Sequence, residues 1–325
     1  TDPRGGIYRA FYDDQGRLIR TEDPAGGFKT LARTELEDGY EVALTTALGR
    51  TTTYRARTLS TGDRERVNTF PDGTQSQSLI ATDGTVITTL SDGTEMTKVH
   101  GPDPRFGMLA PVTTSATLTT PGGISLLTEN SRSVELTDPN DLLSVDNLTS
   151  SVSINGRTTT SVYDAATRTI VRTSPEGREA IATLDDKGRL VNSQSADLEP
   201  VSITYDIDGR PETLALGTGD WVRLAELGYD PVSGFLDSVT DSIGAPWSFA
   251  RDAAGRLTTL SRPDLENIGF TYDANSNVES VTPPGQPAHL FRYTEIDDLA
   301  TYDPPAVDGL PMPLAYSYTV DGDFD

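Results

Sequence analysis

Apolar and polar residues alternate along this chain in short bursts, without the three- and four-residue steps of a helix. Val201, Ile203 and Tyr205 fall on one face of a strand, with Ser202 and Thr204 on the other. Trp247 and Phe249 before Arg251, and Ile268, Phe270 and Tyr272, repeat the pattern. A period of two marks half-buried β-strands. Asp and Gly residues suited to tight turns punctuate the bursts, and helix-forming runs are scarce, so an all-β chain is expected.

Between residues 184 and 273 one phrase recurs five times. It reads Leu184-Asp185-Asp186-Lys187-Gly188-Arg189-Leu190, then Tyr205-Asp206-Ile207-Asp208-Gly209-Arg210. The third copy runs from Tyr229-Asp230 to Gly234-Phe235-Leu236, and the fourth from Arg251-Asp252 to Gly255-Arg256-Leu257. The fifth opens on Tyr272-Asp273 and closes on Asn277-Val278. Successive Asp positions lie 21, 24, 22 and 21 residues apart. An outlying copy stands at Tyr12, Asp13, Gly16, Arg17 and Leu18, and Tyr163-Asp164 and Tyr302-Asp303 keep the Tyr-Asp pair. Tyr316-Ser317-Tyr318 opens a further copy.

Self-similarity at this period means one supersecondary unit stacked on itself. An aromatic ends a strand, Asp bonds backbone two residues on, Gly turns the chain, and Arg with an aliphatic opens the next strand. Stacked units pair edge to edge into a long antiparallel sheet that must twist and curl. Tyr163, Tyr205, Tyr229 and Tyr272 are expected to form a ladder on one face, each hydroxyl within reach of neighbouring backbone.

A second rhythm, Asp72-Gly73-Thr74, Asp83-Gly84-Thr85 and Asp92-Gly93-Thr94, predicts a meander of short hairpins. Leu31 to Leu48 is expected to be another hairpin with Asp38-Gly39 at its tip, and Gly26-Gly27 another turn. Gly101-Pro102-Asp103-Pro104-Arg105-Phe106-Gly107 reads as a loop without a regular ladder, because two prolines remove backbone donors. Three segments follow: residues 1–100 with hairpins and the outlying copy, residues 101–160 irregular and rich in Thr, Pro and Gly, and residues 161–325 with the repeat array. Pro283-Pro284-Gly285-Gln286-Pro287 is a rigid elbow within the last.

The repeated Tyr-Asp phrase resembles the YD repeat of the RHS family, shared by bacterial Rhs proteins, the C component of toxin complexes and teneurins. The resemblance extends from Tyr163 to Tyr318 at least, with Leu184 and Arg251 departing from the aromatic slot. It implies that the sheet winds as a spiral into a hollow shell. It also implies an exported, secreted or cell-surface bacterial protein whose shell encloses a C-terminal effector or makes contact between cells. The Asp-Pro-rich self-cleavage motif of toxin-bearing members is not found in the sequence. The chain starts at Thr1 without Met and stops in mid-repeat after Asp321-Gly322-Asp323, so a piece of a longer polypeptide is expected, and the remainder of that polypeptide is its expected partner.

Composition narrows the partners. The 325 residues carry a net charge of −23, which argues against nucleic acid. Acidity is greatest from Leu265 to Asp325, where eleven Asp and Glu face one Arg, Arg292. There is no cysteine, hence neither a disulfide framework nor a Cys metal site. No apolar run has the roughly 18 residues of a membrane-spanning helix.

The remaining chemistry is sparse. His100 and His289 sit in no triad or metal spacing and read as packing or surface residues. Asp185 and Asp206 are the one carboxylate pair that a glycosidase would use, but each already has a turn role. Asp206-Ile207-Asp208-Gly209 and Asp321-Gly322-Asp323 echo a calcium loop without its later ligands. No Gly-rich phosphate cradle is present, and no cofactor or catalytic residue is expected. The expectation is a non-catalytic shell segment. The rival is an adhesive or glycan-binding module using Trp221 and Trp247, although core packing is favoured for both because Trp247 alternates in phase with Phe249.

Overall fold

The computed structural model describes residues 1–264, 266–306, 310 and 312–325. Among them, 27 strands and a single 3-10 turn at Gly219–Trp221 make the chain all-β, and successive strands pair antiparallel from Thr51–Thr58 to Pro211–Leu216 and from Arg223–Tyr229 to Leu314–Ala315. Packing divides the chain into two units. One comprises Thr1–Arg33, Val42–Thr52 and Leu224–Asp325; the other comprises Thr34–Glu41 and Thr53–Arg223.

In the second unit, strands Arg64–Thr69, Gln75–Ile80, Val86–Thr89 and Glu95–Asp103 form the meander of the second rhythm, in unbroken register. Most strands in the chain run four to eight residues, but Gly107–Thr119, Ser125–Leu136 and Val145–Ile154 reach 13, 12 and 10. In the first unit, Arg9–Tyr12, Leu18–Glu22 and Phe28–Leu36 start a ribbon. From Leu236–Asp241 to Leu314–Ala315 each strand again pairs with the next.

One corner recurs in both units. At Asp206–Arg210 the Asp206 N–H donates to the Arg210 carbonyl and the Gly209 N–H donates to the Asp206 carbonyl, 2.9 and 3.0 Å. Asp13–Arg17, Phe70–Thr74, Ser174–Arg178 and Asp252–Arg256 close identically. This is a type I turn followed by a left-handed residue, the three-residue hairpin loop with a bulge. The bulge falls in the aromatic slot: register shifts at Tyr12, Tyr205, Tyr229 and Tyr272, and at Leu184 and Arg251 where the aromatic is missing. The two rhythms thus share one backbone. In the repeat proper Asp occupies the first corner position; at Phe70, Ala81 and Leu90 that position is apolar and Asp72, Asp83 and Asp92 stand two residues later.

Two local expectations change. Residues Gly101 to Gly107 are not a free loop, because strand Glu95–Asp103 runs through Gly101 and Pro102 and strand Gly107–Thr119 begins at Gly107. The ladder continues with Val112 opposite Gly101 and Gly107 opposite Asp103. Met108 to Pro111 are extruded between these pairs, and such a bulge is where a strand tolerates Pro. Asp103 anchors the tip: its carboxylate, 4% exposed, accepts the Arg105 and Phe106 N–H groups and Arg132 at 3.2 Å. In the hairpin of residues 31–48 the tip is Glu37-Asp38, since Gly39 already opens strand Gly39–Thr46.

Little is buried. Val67, at 6% exposure, is the one buried apolar residue among those described, and the accessible surface totals 20467 Å². A compact protein of this mass exposes roughly 13,000 Å². A single sheet layer leaves its second face without a packing partner, and strand alternation alone cannot supply one. In urea titrations Val67→Ala is expected to cost roughly 1–3 kcal/mol. Leu109→Ser, at a side chain 95% exposed, is expected to stay within about 0.5 kcal/mol. Equal losses at the two sites would contradict this account of where the chain is packed.

Candidate functional site: the repeat corner

The Asp of each repeat does more than turn the chain. In the Asp185 corner one carboxylate oxygen accepts the N–H of Lys187 and of Arg189, both at 2.9 Å, and the other accepts Arg189 Nε at 2.7 Å. Asp206 with Arg210 and Asp252 with Arg256 reproduce the bond from Nε at 2.7 Å, and Asp13 with Arg17 at 2.8 Å. The arginine thereby lies back along its own corner and presents a flat guanidinium to the next repeat. Arg189 stacks on the Tyr205 ring at 4.3 Å and Arg256 on the Tyr272 ring at 4.9 Å. Arg256 also donates to the Asp273 carbonyl at 3.1 Å.

The tyrosine completes the link in the opposite direction. Tyr205 Oη donates to the Leu190 carbonyl and Tyr272 Oη to the Leu257 carbonyl, each at 2.8 Å. The acceptor is in each case the aliphatic that opens the preceding repeat's second strand. The Asp185 and Asp252 corners therefore each bind their successor by one stacked cation and one hydroxyl bond. Of the four tyrosines expected to form a ladder, Tyr205 and Tyr272 make this bond, and two tyrosines outside those four make it as well. Tyr293 Oη reaches the Val278 carbonyl and Tyr318 Oη the Leu299 carbonyl, both at 3.0 Å.

Those two tyrosines locate the later repeats and correct the assignment of Tyr302 and Asp303. The corner after Asp273 is Thr294–Asp298, in which Thr294 Oγ1 accepts the N–H groups of Ile296 and Asp298 as the Asp carboxylate does elsewhere. Thr319–Asp323 is the next. Tyr302 and Asp303 lie within strand Leu299–Asp303. Tyr302 stacks against Phe291 and His289 and bonds His289 Nδ1 at 2.6 Å, while Asp303 pairs with Arg292 at 3.3 Å. A hydroxyl can replace the carboxylate as turn acceptor, so the repeat survives without its Tyr-Asp signature.

Two other repeat positions are variants. Asp164 ends strand Arg157–Asp164 and accepts the Thr167 N–H at 2.8 Å, with Arg168 at φ 54° in the left-handed position. Asp230 closes a longer turn through Ser233 and Gly234. There Phe235 takes the arginine's place, Arg251 stacks on its ring at 5.4 Å, and a side chain on Gly255 would meet that ring at 2.8 Å.

Two corners of the first unit that lack an arginine of their own receive one from far along the sequence. Asn277 stands in the Arg position beside Asp273, and Arg4 approaches Asp273 at 3.5 Å while bonding Asp297 and the Thr294 carbonyl at 2.6 Å. Asp321, with a side chain only 3% exposed, accepts Thr46 Oγ1 at 2.5 Å and Arg50 at 2.6 Å, and Arg50 also bridges to Asp323. Arg4 and Arg50 thus pair with four carboxylates of the acidic end, Asp273, Asp297, Asp321 and Asp323.

These contacts decide the chemistry. The carboxyls of Asp13 and Asp185 are held below the ordinary value by the N–H groups of Arg17 and Arg189, and that of Asp252 by the Arg256 side chain. Burial pushes Asp206 up, but the bonds from Arg210 outweigh it. A glycosidase needs one carboxylic acid raised to hold a proton, and Asp185 and Asp206 are shifted the wrong way. The two calcium-like Asp pairs are each clasped by one guanidinium, Arg210 on Asp206 and Asp208, and Arg50 on Asp321 and Asp323. Among the described residues no group of three His, Cys, Asp or Glu is placed to hold a metal. His100 Nδ1 contacts the Gly84 carbonyl at 3.1 Å. Trp221 and Trp247 are 88% and 38% exposed, so core packing, the expectation for both, does not describe them.

The Teneurin YD-shell family profile matches residues 3–306, so the chain belongs to that family, whose members are structural shells. No curated protein sequence matches. Among solved structures, a TcdB2-TccC3 crystal structure aligns over 99% of this chain and 23% of its own, at 14% identity and TM-score 0.45. The same complex without its hypervariable C-terminal region gives 99%, 22%, 14% and 0.48. A Photorhabdus luminescens Tc holotoxin pore gives 99%, 21%, 14% and 0.36. The chain spans less than a quarter of the matching chain in each.

Tyr205→Phe is expected to cost about 0.5–1.5 kcal/mol through the lost hydroxyl bond, and Tyr205→Ala about 2–4 kcal/mol. Gly209→Val is expected to cost ~1–3 kcal/mol, because Gly209 has φ 84° and a side chain there would meet Arg189 Nη1 at 3.2 Å. Chemical denaturation checks all three; wild-type midpoints would refute the inter-repeat link. The lowered carboxyls contribute stability that is complete above their unfolded-state value and lost as pH falls through the lower folded-state value. The melting temperature is therefore expected to hold from neutral pH to about pH 4 and to fall below it, more shallowly in Asp185→Asn than in the parent.

Proposed function

We propose that this chain is a stretch of wall in a larger exported YD-shell polypeptide, one that surrounds a C-terminal effector carried by the same polypeptide. The observation that carries the reading is the reciprocal corner, in which Asp185-Arg189-Tyr205 and Asp252-Arg256-Tyr272 bind each repeat to the next without a conventional core. Such a sheet extends by adding repeats and covers area with one layer of chain, as an enclosure requires. Family membership supplies the shell; the cargo and the secreted or cell-surface location rest on the family resemblance. Residues shaped for catalysis are not needed, since the corner carboxylates serve as turn acceptors and counter-ions.

A second reading, contact with a cell-surface protein or glycan, is favoured by one feature, the 88% exposure of Trp221 beside the 3-10 turn. The two separate by experiment. Within the intact parent polypeptide, segments C-terminal to this chain are expected to resist trypsin under conditions that digest them when they are expressed alone. The double variant Arg189→Ala and Arg256→Ala is expected to shorten that resistance. Equal digestion inside and outside the parent would reject enclosure. Quenching of tryptophan fluorescence by a neutral polysaccharide, abolished in Trp221→Ala, would then support surface contact.

A further inference from the structure

The second unit holds an open groove of about 610 Å³ that the corner chemistry does not use. Register places its floor. Arg172 lies opposite Ala180, and Ala180 opposite Ser195, so the three share one face across strands Thr169–Thr173, Glu179–Leu184 and Leu190–Ser195. Arg178, two residues before Ala180, lines the same groove, and so do the hydroxyl residues Thr159 and Ser174. Glu179, Asp197 and Leu198 belong to the lining as well.

The arginines are the anomaly. Arg189, Arg210 and Arg256, at corners headed by Asp, are each spent on that carboxylate, and the chain has an excess of 23 negative charges. Yet among the described residues neither Arg172 nor Arg178 has an ion pair or a side-chain hydrogen bond. Two guanidiniums without an ion pair line one cavity together with serine and threonine hydroxyls, and guanidiniums are the forked donors that a carboxylate takes in bidentate fashion. Glu179 and Asp197 add carboxylates able to accept hydrogen bonds, and a polyanion would be repelled by them and by the acidic chain as a whole. A ligand must therefore carry one carboxylate and several hydroxyl donors, and the volume suits one or two sugar rings.

We propose that this groove binds a uronic-acid-type saccharide, its carboxylate held by Arg172 and Arg178, its ring hydroxyls by Ser174, Ser195 and the Glu179 and Asp197 carboxylates, and its apolar face by Ala180 and Leu198. The site is independent of enclosure, since the groove exists whether or not the chain covers cargo, and it does not involve the exposed tryptophans.

Calorimetric titration of the full chain with a galacturonic acid disaccharide tests it. Binding is expected at a dissociation constant of about 1 mM or tighter, and a neutral galactose disaccharide is expected to bind at least about tenfold more weakly. Arg172→Gln and Arg178→Gln are each expected to weaken the acidic sugar about tenfold with unchanged melting temperature, both side chains being exposed. If these variants misfold, chemical-shift changes confined to Ala180 and Ser195 amides on titrating the parent chain carry the same information. No heat and no shift changes would overturn the site. Equal affinity for the neutral sugar, for inorganic phosphate or for a short peptide with a free terminal carboxylate would overturn the saccharide assignment.

Discussion

A sheet one layer thick has almost no interior, so what holds it must lie along its edges. Hydrophobic burial, which drives the folding of most proteins, is reduced here to half-buried side chains on two faces, Val67 being the one buried apolar residue among those described. The corner substitutes for the core. Each Asp satisfies two backbone donors that would otherwise face solvent or go unpaired, and fixes an arginine whose guanidinium becomes a platform for the next tyrosine. The tyrosine returns a hydroxyl to the preceding repeat. Neither contact is strong, but both occur at Arg189–Tyr205 and again at Arg256–Tyr272, and a linear array accumulates such links between neighbours.

Charge is managed by the same device. A polypeptide with 49 acidic residues and 26 basic ones would repel itself if its carboxylates stood free. Many of them accept backbone hydrogen bonds inside turns, which stabilises the ionised form and removes it from competition for a proton. The acidic C-terminal corners, short of arginine, are served by Arg4 and Arg50. Acidity and turn chemistry are therefore one feature: Asp is used because it caps a bend, and the negative surface follows.

This explains why abundant carboxylates do not amount to an active site. Catalytic carboxyls need environments that push their proton affinities apart, whereas Asp13, Asp185, Asp206 and Asp252 occupy near-identical niches that push them down. The groove around Arg172 and Arg178 differs because the pattern fails there: at Ser174–Arg178 a serine holds the first corner position, so the arginine at the last has no carboxylate of its own to clasp. Departures from a strict repeat are the natural places to look for function in such a chain.

The alternation of Val201, Ile203 and Tyr205 and the recurrence of Asp185, Asp206, Asp252 and Asp273 were enough to establish strands, corners and their order, because period-two burial and turn-capping are local and depend on a few residues at a time. The family followed from the same positions. The pairing of Arg189 with Tyr205 was not legible, since arginine reads only as a polar residue opening a strand until its neighbour's position is known. Nor was the substitution of Thr294 for Asp, which drew attention to Tyr302-Asp303 instead, a pair that lies in mid-strand. Pro102 looked like a break in the ladder because a bulge cannot be recognised until the partner strand is in place. Furthest from the sequence were Arg4 beside Asp273 and Arg50 on Asp321: charges some 270 residues apart meet through folding, and no local rule connects them.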